Sequence, residues 1–164
     1  MKVGERAKGD IVGGYTDKLS KRAEEFMRPG EKMVSAIRTQ PSGSTVGMAV
    51  GGIIGATIAD KKASKARAAS GEGSMAANWA KGRFAVGLTD QRLLTFNYTA
   101  LGKPKDLTSE TPIDQVSSVA MEPKKIMKGV RFTFTDGSSA EVECAKLEKV
   151  EDFVSAFQSV KAGS

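Results

Sequence analysis

The sequence predicts an α+β domain that is mainly β: a partly open antiparallel β-barrel capped by a C-terminal helix, with an N-terminal helix and a glycine-rich insertion after the first strand. Three observations predict it. Residues 83–144 read as short apolar segments, several of them alternating, parted by turn residues, as in antiparallel strands. Residues 147–161 then carry one apolar stripe at helical spacing. Before this series stands a single strand-like segment, and between the two lies a stretch, 44–82, that fits neither pattern.

The elements follow in order. Residues 1–14 are basic and glycine-rich and read as a flexible lead-in. Leu19, Ala23, Phe26 and Met27 then share one face of a short amphipathic helix over 16–28. Thr16 or Asp17 is placed to cap its start, and Pro29-Gly30 ends it. Lys18, Lys21 and Arg22 fall on the polar side and are expected to face water. Residues 32–39 form the first strand. From 83 onward, strands are expected at 83–89, 92–99, 107–111, 114–121, 129–135 and 139–144. Asp90-Gln91 turns the first of these hairpins. Asp136-Gly137 turns the last, because both residue types tolerate positive φ. Ala140, Val142 and Cys144 face inward, which puts Glu141 and Glu143 on a solvated outer face. In the closing helix, 147–161, Leu147, Val150, Phe153, Val154, Phe157 and Val160 share the buried stripe. Glu148, Glu151 and Asp152 favour its N-terminal end and Lys161 its C-terminal end.

Composition bounds the chemistry. The 164 residues hold a net charge of +6 and no histidine, which excludes Ser-His-Asp and Cys-His catalysis and histidine metal sites. The lone cysteine, Cys144, permits neither an internal disulfide nor a cysteine zinc cluster, and its place in an alternating strand makes it a buried, inert thiol. No phosphate-loop motif occurs. Gly71-Glu72-Gly73-Ser74-Met75-Ala76 follows a basic run rather than a strand and reads as linker. No cofactor and no metal is expected. The absence of an apolar stretch after the charged N-terminus argues against a signal peptide and for a cytoplasmic location.

Four segments also resemble a known family. Gly87-Leu88-Thr89-Asp90-Gln91-Arg92-Leu93-Leu94 is similar to the Leu-Thr-Asp-x-Arg hairpin of bacterial pleckstrin-homology-like (PH-like, GRAM-like) domains. Ile113-Asp114-Gln115-Val116-Ser117-Ser118-Val119, the hairpin Phe132–Gly137 and the opening Pro29-Gly30-Glu31 resemble further family segments. The resemblance covers 29–41 and 83–161, and excludes 1–28 and the insertion. It implies a PH-like domain over 29–161, interrupted by 44–82, with a helix plugging one end of the barrel. It implies a role as adaptor, membrane-targeting module or interaction domain. Arg92 is expected on the rim of its turn, with Leu93, Leu94 and Phe96 entering strand and core.

The insertion carries the functional expectation. Gly47, Gly51 and Gly55 recur every four residues, so on a helix they line a groove, flanked by Ile54, that a second backbone could approach closely. Packing on the domain or on a second copy of the chain is the preferred reading, ahead of membrane contact and of an irregular loop. The apolar run is shorter than the roughly 20 residues a membrane span needs. Lys61, Lys62, Lys65 and Arg67 follow directly, and Lys124, Lys125 and Lys128 cluster with Arg131 later. Both groups suit an anionic partner such as lipid headgroups, although a solvated rim is the default for the second. The expected function is therefore a non-catalytic adaptor or scaffold that binds another protein or itself. The alternative is a peripheral membrane protein on anionic lipid. Nucleic acid is disfavoured, because no exposed aromatics interleave with the cations.

Overall fold

The computed structural model describes residues 15–42, 73–79 and 81–164. Helix α1 spans Tyr15–Ala23 and runs into a 3-10 turn, Glu24–Phe26. Strand β1 (Met33–Pro41) follows, then a single-turn helix α2 (Met75–Asn78). Strands β2 (Phe84–Thr89), β3 (Arg92–Tyr98) and β4 (Pro104–Pro112) come next. After a 3-10 turn at Ile113–Gln115 come β5 (Val116–Glu122), β6 (Lys128–Phe134) and β7 (Ser139–Cys144). Helix α3 (Val150–Ala162) ends the chain's ordered elements.

The strands of the described residues form one antiparallel sheet in the order β4-β3-β2-β1-β7-β6-β5. Strand β1 joins two meanders. It pairs with β2 through Thr39, then with β7 through Gln40↔Glu143 and Pro41↔Val142. The edges β4 and β5 do not pair with each other, so the barrel stays open. A mainly β, partly open barrel with helices at both ends is the PH-like arrangement. The strand expected at 107–111 begins earlier, at Pro104, and the segment at 113–115 is a turn rather than strand.

Two apolar cores explain why β2 and β3 read as almost continuous hydrophobic runs. Phe84, Val86, Leu88 and Leu93 point into the barrel, where they meet Val130, Phe132 and Phe134, and Val150, Phe153 and Phe157 of α3. Ala85, Leu94 and Phe96 point outward, where Leu19 and Ala23 of α1 cover them. With both faces covered, neither face needs polar residues. Small side chains let the helix approach. At Gly87 a Cβ would come within 2.9 Å of the Met33 thioether and 3.1 Å of Leu19.

The N-terminal helix therefore belongs to the β-domain. Thr16 does not cap it: its hydroxyl accepts a hydrogen bond from the Ala36 N–H of β1 at 3.1 Å. Arg22 does not simply face water: it donates to the Lys105 carbonyl, pairs with Glu25 and stacks over Phe26.

A buried ion pair fastens the helix end to the sheet. Arg92 is buried, not on the rim. Its Nε and Nη2 donate to the two oxygens of Glu31 at 2.9 and 3.0 Å, Nη2 also donates to the Phe26 carbonyl at 2.7 Å, and Nη1 pairs with Glu110 of β4. Glu31 also accepts from the Thr89 hydroxyl at 2.6 Å and the Arg28 N–H at 2.8 Å. Burial alone would raise the Glu31 pKa. The hydrogen bonds from Arg92, Arg28 and Thr89, with the Arg92 charge, reverse that and hold it at about 2.

Two sequence expectations fail at the ends of elements. Helix α3 starts at Val150, and Leu147 lies before it, 95% exposed. The Glu148 N–H and the Val150 N–H close tight turns onto the carbonyls of Ala145 and Glu148, so Leu147 is never on the helical stripe. The insertion read as 44–82, with a linker at 71–76, also contributes to the core at its C-terminal end. Trp79 is 4% exposed and packs among Phe84, Phe132 and Phe134, with ring centroids 5.2, 4.6 and 5.4 Å away. Ser74 caps α2 by accepting from the Ala77 N–H, while Asp136 and Ser138 accept from the N–H groups of Met75 and Ala76. The part of 44–82 up to residue 72 lies outside the described residues.

Candidate functional site

The expected contact residues Gly47, Gly51, Ile54, Gly55, Lys61, Lys62, Lys65 and Arg67 all lie outside the described residues. Lys124, Lys125 and Lys128 lie at the β5–β6 connection. The Lys124 ammonium pairs with Glu141 at 2.9 Å. Lys128 donates to the Glu148 carbonyl at 2.9 Å and to Glu151 at 3.0 Å. Lys125 is exposed, with no partner among the described residues, and next to it Ile126 is 62% exposed. The structure thus places two of the three cations in internal ion pairs.

A different group of residues converges where β1 passes from one meander to the other. The outer side of β1, the β3–β4 loop and the β7–α3 turn enclose a cleft of about 280 Å³, lined by Arg38, Tyr98, Leu101, Glu143 and Glu148 among others. Each wall has a local cause. The β3–β4 loop is a tight turn closed by Gly102 N–H to Thr99 carbonyl at 2.8 Å, with Gly102 at φ 77°, a left-handed value that a side chain strains. A Cβ at Gly102 would stand 2.8 Å from Arg38 Nη1, so the loop rests directly on the guanidinium. The turn leaves Leu101 at its tip, 86% exposed, on the rim of the cleft.

Arg38 and Glu148 form the fixed part of the floor. The Arg38 N–H and Nε donate to the two Glu148 oxygens at 3.1 and 2.7 Å, and Nη2 lies 2.6 Å from Oε1. The guanidinium also stacks 4.8 Å over the Tyr15 ring. Glu148 is buried in the turn before α3 rather than set in the helix's first turn. The Tyr98 hydroxyl donates to the Thr39 carbonyl at 2.8 Å.

Glu143 stands apart from this pairing. Expected on a solvated outer face, it is only 6% exposed, and its Oε2 is buried without a hydrogen-bond partner among the described residues. Alternation along β7 does turn Glu143 away from the barrel core. The walls of the cleft then cover it.

The neighbouring titratable groups are held in their protonated forms. Burial pushes the Cys144 thiol up to about 12, helped by the Glu148 charge and opposed by Lys128. Burial likewise raises both phenols, most strongly Tyr15, against the lowering charge of Arg38. At neutral pH the buried thiol is held in its protonated form, which is the poor nucleophile of the pair. Among the described residues no group of three or more acids or cysteines is placed to hold a metal. No helix among them is long and apolar enough to cross a membrane. The cleft presents one neutralised ion pair, hydroxyl and backbone groups, an exposed leucine and one carboxylate oxygen without a partner among the described residues.

Sequence reasoning missed this cleft. Its residues come from β1, β3, β7 and two turns, and no local pattern links Arg38 with a partner 110 positions on. A weak signal existed in Leu101, an apolar residue inside a polar turn.

A Gly102→Val variant is expected to lose about 1–3 kcal/mol of stability, from strain at positive φ. It should also displace the Arg38 side chain. Chemical denaturation followed by circular dichroism checks the first effect, and the amide shift of Arg38 the second.

Comparison with known proteins finds likeness among solved structures. The chain is similar to the crystal structure of a DUF1696 family protein with a pleckstrin-homology domain from Shewanella loihica PV-4, at 10% sequence identity and a TM-score of 0.49, covering 89% of this chain and 92% of that one. No protein-family model matches the chain, and no curated protein matches it.

Proposed function

We propose that the chain is a non-catalytic adaptor, a PH-like domain that docks a protein partner or a second copy of itself. The observation that carries this reading is the cleft between the two meanders. It combines a fixed polar floor, Arg38 with Glu148, and an exposed apolar knob, Leu101, on its rim. Interface energy concentrates in a few residues that become desolvated in a well-packed pocket, and the cleft offers a partner such a pocket with an apolar contact at its rim. The insertion residues Gly47, Gly51, Ile54 and Gly55 extend the reading to self-association.

Panning a displayed peptide library on the full-length chain tests it, with sedimentation velocity reporting self-association. Selected sequences that bind less well to Leu101→Asp support the reading. So does a concentration-dependent oligomer that deletion of 44–69 abolishes. A chain that stays monomeric and selects no sequence rejects it.

One observation favours a second reading, a peripheral membrane protein. Ile126 and Lys125 project together at the β5–β6 connection, an apolar residue beside a cation, as anionic lipid would want. Lys61, Lys62, Lys65 and Arg67 would add to it. Flotation with anionic vesicles that is lost in high salt, and reduced by Ile126→Asp, supports this reading. No flotation with anionic vesicles at low salt excludes it.

A further inference from the structure

We infer that the cleft takes a cationic group, an ammonium or guanidinium, with Glu143 as its carboxylate partner. The inference rests on the cleft being the recognition surface.

The argument is one of matching charges. Glu143 lines the cleft, is more than nine-tenths buried, and keeps a carboxylate oxygen with no donor. A carboxylate taken out of water without a donor is destabilised until one reaches it. Among the side chains that line the cleft the other charges are paired: Arg38 is bound to Glu148 through Nε and Nη2. Lys124, which feels the Glu143 charge, is held by Glu141 at 2.9 Å. The unmatched charge of the lining is thus negative; Lys103 and Lys146 flank the cleft on the exposed surface and are not part of that lining.

The shape narrows the class. Two carboxylates, one of them engaged, are too few for a metal ion, which takes several oxygen ligands. The rim instead offers Ala100 and Leu101 to an alkyl stem. A lysine side chain fits that division, its methylenes on the rim and its head toward the floor. The same chemistry could come from a lysine of a partner or from a free alkylamine.

The test uses the isotope-labelled full-length chain, with amide shifts of Leu101, Gly102, Glu143 and Cys144 as readout. The probes are a short blocked peptide with one lysine, the same peptide with that lysine acetylated, and cadaverine. The lysine peptide is expected to shift these amides, and acetylation to weaken its binding roughly tenfold or more. Glu143→Gln, nearly isosteric, is expected to do the same with its spectrum elsewhere unchanged. Cadaverine binding as tightly as the lysine peptide identifies a small-amine site; peptide binding well above that of cadaverine identifies a partner's lysine. The inference is overturned if the acetylated and free peptides bind alike, if Glu143→Gln binds as the wild type does, or if no probe shifts a cleft amide. The acetylation comparison needs only the wild-type chain, so it decides the matter even if the variant fails to fold. Library-selected peptides that shift the cleft amides without any basic residue would end the cation inference and leave the adaptor reading standing. Absence of selected peptides, self-association and cleft shifts together would end both.

Discussion

Arg92→Ala is expected to cost about 3–5 kcal/mol of folding stability, among the largest effects of any single substitution here. The size comes from what remains behind. Glu31 would keep its place beneath the end of α1 while losing two of its four donors and its counter-charge. Phe26 and Glu110 would lose their donor at the same time. Arg92→Met combined with Glu31→Gln should recover most of the loss, because replacing both charges leaves neither uncompensated. Urea denaturation of the two single variants and the double variant measures the coupling, and additive effects would show that the pair is not the cause.

The same pair contributes to the acid sensitivity of the fold, alongside Asp136, Glu141 and Glu151, whose carboxyls are also lowered. Glu31 titrates at about 2 in the folded chain against an ordinary value of 4.5. Between those values the unfolded chain binds the extra proton, so stability rises with pH through that window. The contribution is fully present above about 4.5 and is lost as the pH falls toward 2. Wild-type denaturation midpoints should drop across this range more steeply than those of the double variant, in which the group is absent.

Trp79→Ala is the second large effect, expected at about 3–5 kcal/mol from the cavity it leaves among Phe84, Phe132 and Phe134. Trp79→Phe should cost less. It fills most of the space and removes an indole N–H that is buried without a partner. Circular dichroism must follow these variants, because the chain's single tryptophan is the residue removed. Equal losses for both substitutions would mean that the indole's size is not what matters.

How much of this was legible follows from the range of each interaction. The β2–β3 hairpin could be read because Thr89 organises its own turn, accepting from the N–H groups of Gln91 and Arg92. The Pro29-Gly30-Glu31 opening could be noticed but not explained. Its reason is that Glu31 meets Thr89 and Arg92 some 60 positions away. Helix α3 and the β6–β7 hairpin were plain from periodicity and turn residues. The docking of α1 was hidden because an amphipathic helix states that it needs a partner and not which one. The apolar runs Phe84–Thr89 and Arg92–Phe96, buried on both faces, hinted at the answer. Trp79 was not singled out because its neighbours are small and polar, so no stripe marks it as core. Glu143 was misplaced because alternation gives the side of the sheet a residue faces. It does not say what covers that side.

The end of β1 and the start of α2 are both moored to the β6–β7 hairpin. Pro41 pairs with Val142 of β7, while Met75 and Ala76 are tied to Asp136 and Ser138 in the turn just before it. Val142 and Ser138 are four residues apart, about 13 Å along an extended strand. Anchors this close make insertion between them cheap, because the closure entropy of a flexible added loop grows only with the logarithm of its length, by about 0.6 kcal/mol for each doubling. The same two anchor points offer a site for grafting a foreign segment into the domain.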